Sequence, residues 1–366
     1  MAVSAGNLAC MPTRRNPRAG LAPAQLDSDA HRVGSVCSTF TGEQLAGTAK
    51  PGQVVLALEY PRGWGHDILD GEALGEELAG KIKAFLKANN AQLQFIRQPG
   101  REGQSKPEGS KSVLFISWSR GVVDSTDPVA ERMEVDGPES ILELDLTRPG
   151  NTPGAERIDH PLLLICTHGK RDRCCAVRGR PLAVALSAHY DGEQVWESSH
   201  TKGHRFAPSM LLLPANYSYG RMAVGGATEL LEHAQRGEMW LQGNRGRGIY
   251  DSPSQVAEIV VARRLQREGH TPRQGALIVT AATLSDLVSL FSAKSASSTA
   301  REPETALGPS HRSTADLGYR LVEDAESGRK WGVQLQRRAS VPVVASCGDS
   351  PKQSMSWVAT TVIELR

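Results

Sequence analysis

The sequence predicts a mixed protein of the α/β and α+β classes. Short apolar runs bounded by Pro and Gly alternate with segments of helical spacing, as is typical of strands that pack against helices. The alternation stops at a Pro- and Gly-rich stretch near residue 150 and then starts again, which indicates a second unit. The chain has 366 residues, of which 39% are hydrophobic and 22% charged. That length is enough for two or three domains with buried cores.

The first unit is predicted at residues 33–150, after an aperiodic stretch at 1–32 that is typical of a flexible tail. Val54–Glu59 is a short apolar run close to Pro and Gly residues, and it predicts a buried strand. Leu69–Asn89 carries apolar residues at helical spacing and predicts a helix. Further strands are predicted at Leu93–Ile96, at Val113–Trp118 and, from alternating apolar and acidic residues, at Ile141–Leu146.

The second unit, at residues 155–268, begins within a Pro- and Gly-containing linker or long loop at 148–159 and has its own succession of elements. We predict a strand, a helix, three strands and a helix at Leu162–Cys166, Cys175–His189, Gln194–Ser198, Ser209–Leu213, Tyr219–Val224 and Ala227–Arg236. This order is the one that a thioredoxin-like unit would give, although many α+β folds share it. A further helix is predicted at Pro253–Glu268.

The remaining part of the chain predicts a small β-rich C-terminal appendage. Residues 292–315 are rich in Ser, Thr, Ala, Pro and Gly, a composition typical of a disordered linker. Residues 319–366 then return to short β-like runs, at Tyr319–Val322, Lys330–Leu335, Val341–Ala345 and Trp357–Ile363.

Charge and hydropathy exclude several classes of partner. Lys and Arg total 42 against 40 Asp and Glu, which gives a net charge of +2 and no strong field for nucleic acid. No apolar run approaches the roughly 20 residues that span a bilayer. The first residues lack the apolar core of a secretory signal. We therefore expect a cytoplasmic protein, with no nucleic-acid or membrane partner, whose six cysteines are thiols, ligands or redox groups.

One short stretch gathers the residue types of a metal site. Cys166 ends a predicted strand, Cys174 and Cys175 follow eight and nine positions later, and His200 and His204 lie beyond the next strand. Two thiolates and two imidazoles suit tetrahedral zinc or a [2Fe–2S] cluster with two His ligands. Zinc fingers usually place their first cysteines only two to four residues apart, so the longer spacing favours the cluster. Zinc remains the alternative.

These residues lie in a pattern that resembles the sucrase/ferredoxin-like family, whose cluster domain is a thioredoxin-like ferredoxin. That family has two cysteines separated by eight residues around an Arg-Asp dipeptide, followed by His-x-Gly-Gly-His. The matching residues here are Cys166, Arg171, Asp172, Cys175, His200 and His204, with Lys202 in place of the first glycine of the histidine motif. The resemblance covers about residues 35–265 and is most specific at 162–222.

The resemblance implies an electron carrier with one [2Fe–2S] cluster, held by Cys166, Cys175, His200 and His204. Neutral imidazoles leave such a cluster less negative than four thiolates do, which favours reduction and can couple an electron to a proton. The expected partner is a redox protein such as a reductase or a ferredoxin-type donor. We expect an electron carrier rather than a substrate-converting enzyme. The sequence offers no pair of carboxylates from which glycosidase activity could be argued. The alternative function is a structural zinc scaffold without redox activity.

The neighbours of these four residues have predicted supporting roles. The family spacing selects Cys175 as the ligand, so Cys174 is a buried thiol, a substitute ligand or an oxidation site. Arg171, Lys202 and Arg205 place positive charge near the motif, for docking an acidic carrier or as solvated side chains. Asp172 orients a ligand or forms a structural ion pair. A thiol-disulfide enzyme is disfavoured, because the chain has no Cys-x-x-Cys motif.

Three further features predict structure rather than chemistry. Trp64 is expected to pack against the turn that contains it. The segment Gly243–Gly248 resembles a phosphate-binding loop only superficially, and we expect a surface loop. Cys347, in a Ser-Cys-Gly turn, is expected to be a structural thiol.

Overall fold

The computed structural model describes residues 37–61, 63–119, 128–190, 192–295 and 316–365. The predicted tail at 1–32 and most of the predicted linker at 292–315 lie outside these residues. Within them, the mixed α/β class is confirmed: a large mixed sheet is accompanied by a small antiparallel sheet. The helices of this part of the chain are α1 (Glu76–Ala88), α2 (Arg180–Ser187), α3 (Val224–Gln235), α4 (Ser252–Arg267) and α5 (Leu284–Ser295).

The large sheet has ten strands in the order β10-β9-β8-β6-β7-β2-β1-β3-β4-β5. Their bounds are β1 (Val54–Glu59), β2 (Ala91–Arg97), β3 (Ser112–Trp118), β4 (Val129–Val135), β5 (Glu156–Ile158), β6 (Leu162–Cys166), β7 (Val195–Ser198), β8 (Ser209–Leu213), β9 (Tyr217–Gly220) and β10 (Asn244–Arg247). The predicted strands at 162–166 and 209–213 match β6 and β8 residue for residue.

The ten strands form two leaves with the same topology. In the first leaf (β1–β5), the first strand lies between a parallel second strand and an antiparallel third strand, and the fourth and fifth continue the edge. The second leaf (β6–β10) repeats this order strand for strand. Among the described strands, the leaves pair only through β2 and β7, which are antiparallel and pair Ile96 with Ser198 and Arg97 with Glu197.

The large sheet curls so that the two leaves face each other. Four strands lie between β3 and β8 in the sheet order, yet the Ser117 hydroxyl donates to the Pro214 carbonyl at 3.4 Å. The rings of Phe115 and Trp196 likewise meet edge to face across the space between the leaves, 5.7 Å apart. A core cluster that includes Val55 and Leu164 fills this space. In the described part of the chain, the inner face of the sheet is therefore buried by the opposite leaf and not by a helix.

The outer faces of the leaves carry the helices. Helix α1 buries Ile82 and Leu86 against the first leaf, and a second core cluster forms there. Helices α2, α3 and α4 pack in a third cluster with the second leaf and the small sheet. Helix α4 begins at a cap in which the Asp251 side chain accepts the Ser254 N–H at 3.0 Å, and it buries side chains on several sides because both sheets contact it.

The small antiparallel sheet contains one strand that precedes α5 in the sequence and three that follow it. Its order is β11-β12-β13-β14, and its strands are β11 (Leu277–Ala282), β12 (Leu317–Asp324), β13 (Lys330–Ala339) and β14 (Met355–Leu365). Buried Trp331 and Val333 join it to the core of the second leaf. The predicted strand at 341–345 is wrong, since the only pairing there within the described residues is an isolated bridge between Val343 and Lys352.

Two other predictions are also wrong. The predicted strand at 141–146 is instead the end of a 3₁₀ turn at Pro138–Glu143 followed by extended chain. Pro at the start favours a helical turn, and the buried residues Ile141 and Leu144 are spaced by three. The expected surface loop at 243–248 is strand β10, in which Arg245 and Arg247 are 1% and 2% exposed.

Candidate metal centre

The four predicted ligands meet at one corner of the second leaf. Cys166 is the last residue of β6, and Cys175 begins a single π-helical turn that leads into α2. His200 follows β7, and His204 begins a 3₁₀ turn that precedes β8. Because β6 lies between β7 and β8, the segments that follow β6 and β7 and the turn before β8 converge there.

Three of the four side chains are close enough to share a metal ion. The Cys166 Sγ and the His200 Nδ1 are 3.9 Å apart. The Sγ of Cys175 completes a group in which the donor atoms all lie within 4.8 Å of one another. Both cysteines are fully buried, and His200 is half-buried. The donor types of this group are those that zinc and iron–sulfur clusters take.

His204 stands beside this group rather than in it. Its ring stacks on the ring of His200, with centroids 5.0 Å apart and planes 30° from parallel. Its Nε2 donates to the carbonyl of Ala345. Its Nδ1 is buried and has no hydrogen-bond partner among the described residues. A buried imidazole nitrogen without a partner is costly, so a ligand at Nδ1 would satisfy it. The residues present therefore fit a group held by two thiolates and two imidazoles.

The electrostatics of the corner favour a thiolate at Cys166. Burial opposes ionisation there, but hydrogen bonding from the Cys175 thiol and the contact with His200 set the pKa of Cys166 well below its usual value. The hydrogen bond that Cys175 donates, together with burial, raises the pKa of Cys175. Burial also lowers the pKa of His204, although Asp172 faces it. A neutral imidazole beside a thiolate is the protonation state that a metal ligand requires.

Two glycines let the chain reach this geometry. A Cβ on Gly179 would lie 2.0 Å from the carbonyl oxygen of Cys166, so only glycine allows the start of α2 to approach the end of β6. Gly203 has φ +84°, and a Cβ there would lie 2.4 Å from a guanidinium nitrogen of Arg245. Lys202 adopts φ +63° as well. This conformation costs a non-glycine residue about 1–2 kcal/mol.

Arg245 holds the histidine loop, and sequence reasoning missed it. Its guanidinium donates to the carbonyls of Lys202 (2.9 Å) and Thr48 (2.5 Å) and to the hydroxyl of Ser209 (3.1 Å). Burial lowers the pKa of Arg245 to about 9. A buried guanidinium needs hydrogen-bond acceptors nearby. The hydrogen bonds of Arg245 to these acceptors fix the loop that presents His200 and His204. The surrounding Gly-Arg-Gly pattern is common at surfaces and carried no such signal.

His168 is a second residue that sequence reasoning did not single out. Its ring is 4% exposed, its Nε2 donates to the Gly65 carbonyl at 2.8 Å, and its edge meets the ring of Trp64. Trp64 packs as expected: it is buried, and its Nε1 donates to the carbonyl of Tyr60 at 2.7 Å. These contacts link the end of β1 to the loop after β6.

The predicted basic neighbours are mostly engaged. Arg205 forms a two-point ion pair with Glu43, with one contact of 2.8 Å, and Arg171 contacts His66 at 3.1 Å. Lys202 is half-buried. By contrast, Arg173, Arg178 and Arg180 on the turn around Cys175 are exposed, and no carboxylate in the described part of the chain pairs with them.

Asp172 and Cys174 lie on the other side of the same turn. The Asp172 carboxylate is 3.7 Å from His204 Nε2 and is almost fully buried. The Cys174 Sγ is 3.2 Å from the Sγ atoms of both Cys37 and Cys347. Cys174 therefore belongs to a different group of cysteines from Cys166 and Cys175. Neither Cys37 nor Cys347 was predicted to approach the site, because they lie 137 and 173 positions from Cys174 in the sequence.

The chain matches a known protein family, whereas no curated protein and no solved structure matches it significantly. Across the described residues, no helix combines the length and apolar character needed to cross a membrane. The family model described as sucrase/ferredoxin-like matches residues 45–246, more than half of the chain, and this range contains all four predicted ligands. The chain belongs to the sucrase/ferredoxin-like family.

Proposed function

We propose that this protein carries electrons through one [2Fe–2S] cluster held by Cys166, Cys175, His200 and His204. One observation carries the proposal: the donor atoms of Cys166, Cys175 and His200 lie within 4.8 Å of one another at the corner described above. The buried, unpartnered Nδ1 of His204 supports a fourth position. A cluster of this kind, when bound, supplies reversible one-electron transfer.

The chain's own residues would tune that chemistry. Burial of both thiols excludes water from the sulfur side, whereas the half-buried imidazoles lie nearer to solvent. Two imidazoles leave less negative charge than two further thiolates would, which favours reduction. Asp172 lies 3.7 Å from His204 Nε2. Its carboxylate would stabilise the proton on Nε2 of a histidine bound through Nδ1 and so link the redox change to that proton.

The second leaf is, in this proposal, the thioredoxin-like ferredoxin unit. Its strand order β7-β6-β8-β9, with β8 antiparallel to β6, supports this assignment, as do α2 between β6 and β7 and α3 after β9.

A zinc scaffold is the second candidate, and the same geometry favours it. Three donor atoms within 4.8 Å can surround a single ion, and tetrahedral zinc takes thiolate and imidazole ligands. Zinc would leave the protein colourless and without redox activity, so metal analysis separates the two functions.

The partner would approach the exposed turn around Cys175. Arg173, Arg178 and Arg180 are exposed there, without carboxylate partners among the described residues, and Val177 between them is 53% exposed. An apolar side chain ringed by cations suits an acidic redox protein such as a reductase or ferredoxin-type donor. Electron transfer should then slow as the ionic strength rises.

The test is metal analysis and a visible spectrum of anaerobically purified protein. We expect about two irons and two sulfides per chain, with a red-brown spectrum that dithionite bleaches. Cys175→Ser should lose colour and iron. Cys347→Ser is the matched control, since its thiol lies outside the donor group, and it should keep both. Colourless wild-type protein without iron or sulfide, or a Cys175→Ser variant that keeps its cluster, would refute the proposal.

A further inference from the structure

A second group of sulfur and oxygen donors lies beside the first. The Sγ of Cys174 is 3.2 Å from the Sγ atoms of Cys37 and Cys347. The Asp172 carboxylate approaches the same sulfurs, with its Oδ1 3.1 Å from Cys347 Sγ and 3.8 Å from Cys37 Sγ. These four donor atoms all lie within 4.8 Å of one another. Three segments that are distant in the sequence thus bring four ligand atoms, three sulfurs and one carboxylate oxygen, to one point.

The surroundings of the group are those of metal-bound thiolates. The Ser38 N–H points at Cys174 Sγ and the Cys37 N–H at Cys347 Sγ, both at 3.4 Å. Asp172 is fixed in place: it accepts the backbone N–H groups of Cys174 and Cys347, each at 2.9 Å. Backbone N–H groups that point at sulfur offset negative charge at a thiolate site, and those that bind Asp172 hold its carboxylate in position as a ligand.

The pocket is closed on most sides but not all. Cys37 and Cys174 are buried with Ala207 and Val344 in a small apolar cluster. Cys347 is half-buried, which leaves a route for an ion. None of the described cysteines is in a disulfide.

We infer that Cys37, Cys174, Cys347 and Asp172 form a second metal site, for a soft tetrahedral divalent cation of the zinc type. Three thiols and a carboxylate number four ligands, as closed structural zinc sites require. Binding would release the thiol protons, and the complex would carry a charge of about −2, as Cys₄ zinc sites do. A disulfide would use only two of the three sulfurs, whereas all three sulfurs and the carboxylate converge on one point.

The site would act on the proposed redox centre through Asp172. The same carboxylate that faces this second site lies 3.7 Å from His204 Nε2. A metal ion would also tie residue 37 and residue 347 to the loop that precedes Cys175. The ion would therefore cross-link these three segments without supplying a ligand to the first site and without taking part in electron transfer.

The test measures zinc in the full-length protein after anaerobic incubation with Zn²⁺ and removal of excess metal. We expect about one zinc per chain in wild type and in Cys175→Ser. Cys37→Ser and Cys347→Ser should lose it, with far-ultraviolet circular dichroism confirming that each variant is folded. Because Cys175→Ser removes only the first site, loss of iron there and loss of zinc in Cys347→Ser separate the two proposals.

A second measurement uses the wild-type protein alone and so does not depend on how the variants fold. Alkylation followed by mass spectrometry should find Cys37, Cys174 and Cys347 protected together by Zn²⁺ and exposed together by a chelator. Wild-type protein that takes up no zinc would overturn the inference. So would folded Cys37→Ser and Cys347→Ser variants that retain it, or a disulfide between two of the three cysteines after anaerobic purification.

Discussion

The ion pair between Arg97 and Glu197 lies where the two leaves join, and breaking it should destabilise the whole sheet. Arg97 Nη2 and Glu197 Oε2 are 2.9 Å apart, with side chains 8% and 2% exposed. Arg97 also stacks on the Trp64 ring, 4.3 Å from its centroid. Arg97→Met keeps an apolar stem but leaves a buried carboxylate, for which the Thr167 hydroxyl is the remaining side-chain donor. We expect a loss of about 3–5 kcal/mol of unfolding free energy.

A double-mutant cycle in urea separates the pair from the packing. Glu197→Gln alone should also lower the unfolding free energy, because it leaves the buried Arg97 guanidinium without its carboxylate partner. The double variant Arg97→Met with Glu197→Gln should lose about 2–3 kcal/mol less than the sum of the two single losses, and this difference is the coupling energy of the pair. Tryptophan fluorescence and circular dichroism should report the same transition. Single losses that simply add in the double variant would refute the reasoning, because no coupling would then exist at the junction.

Three further perturbations test other parts of the structure. Gly179→Ala should cost about 3 kcal/mol or more, since its Cβ would lie 2.0 Å from the Cys166 carbonyl oxygen; thermal melts check this, and an unchanged melting temperature contradicts it. Glu258 is fully buried, and burial raises its pKa from 4.5 to about 7. The raised pKa favours the neutral acid in the folded state. The unfolding free energy of wild type should therefore fall by about 3 kcal/mol relative to that of Glu258→Gln as the pH rises from about 4.5 to about 7. Urea melts across this pH range test it, and a free-energy difference between the two proteins that stays constant with pH would contradict it. Arg245→Met should lower the iron content as well as stability, because Arg245 holds the Lys202 carbonyl; iron assay at equal folded fraction checks it, and full iron loading argues against the role.

The local features of the site could be read from the sequence. Cys166 ends an apolar run whose bounds match β6, and the short spacings to Cys175 and from His200 to His204 are fixed by single loops. Local patterns of this kind depend on neighbours in the chain, so the residues themselves carry the information. Family membership followed from the same motif and is confirmed by the match over residues 45–246.

Long-range features could not be read in the same way. The approach of Cys37 to Cys347 depends on how the small sheet packs against the second leaf, and no local pattern encodes that. The curl that brings Ser117 to Pro214 likewise arises from the twist of the whole sheet. Arg245 and Arg247 resemble surface residues by type, and their burial is explained only by the carbonyl and carboxylate partners that the fold supplies.

The repeated topology of the leaves provides an internal comparison within one molecule. Strand β1 ends at Glu59 where β6 ends at Cys166, and each strand is followed by a loop and a helix. At the first of these corners the Glu59 carboxylate binds the Lys106 ammonium and accepts the Val113 N–H at 3.1 Å. The corner of the first leaf thus holds an ion pair, whereas the equivalent corner of the second leaf holds thiols and imidazoles. The same architecture forms without metal donors, so we expect the metal-free protein to keep its strands and helices and to lose only the chemistry of the second copy.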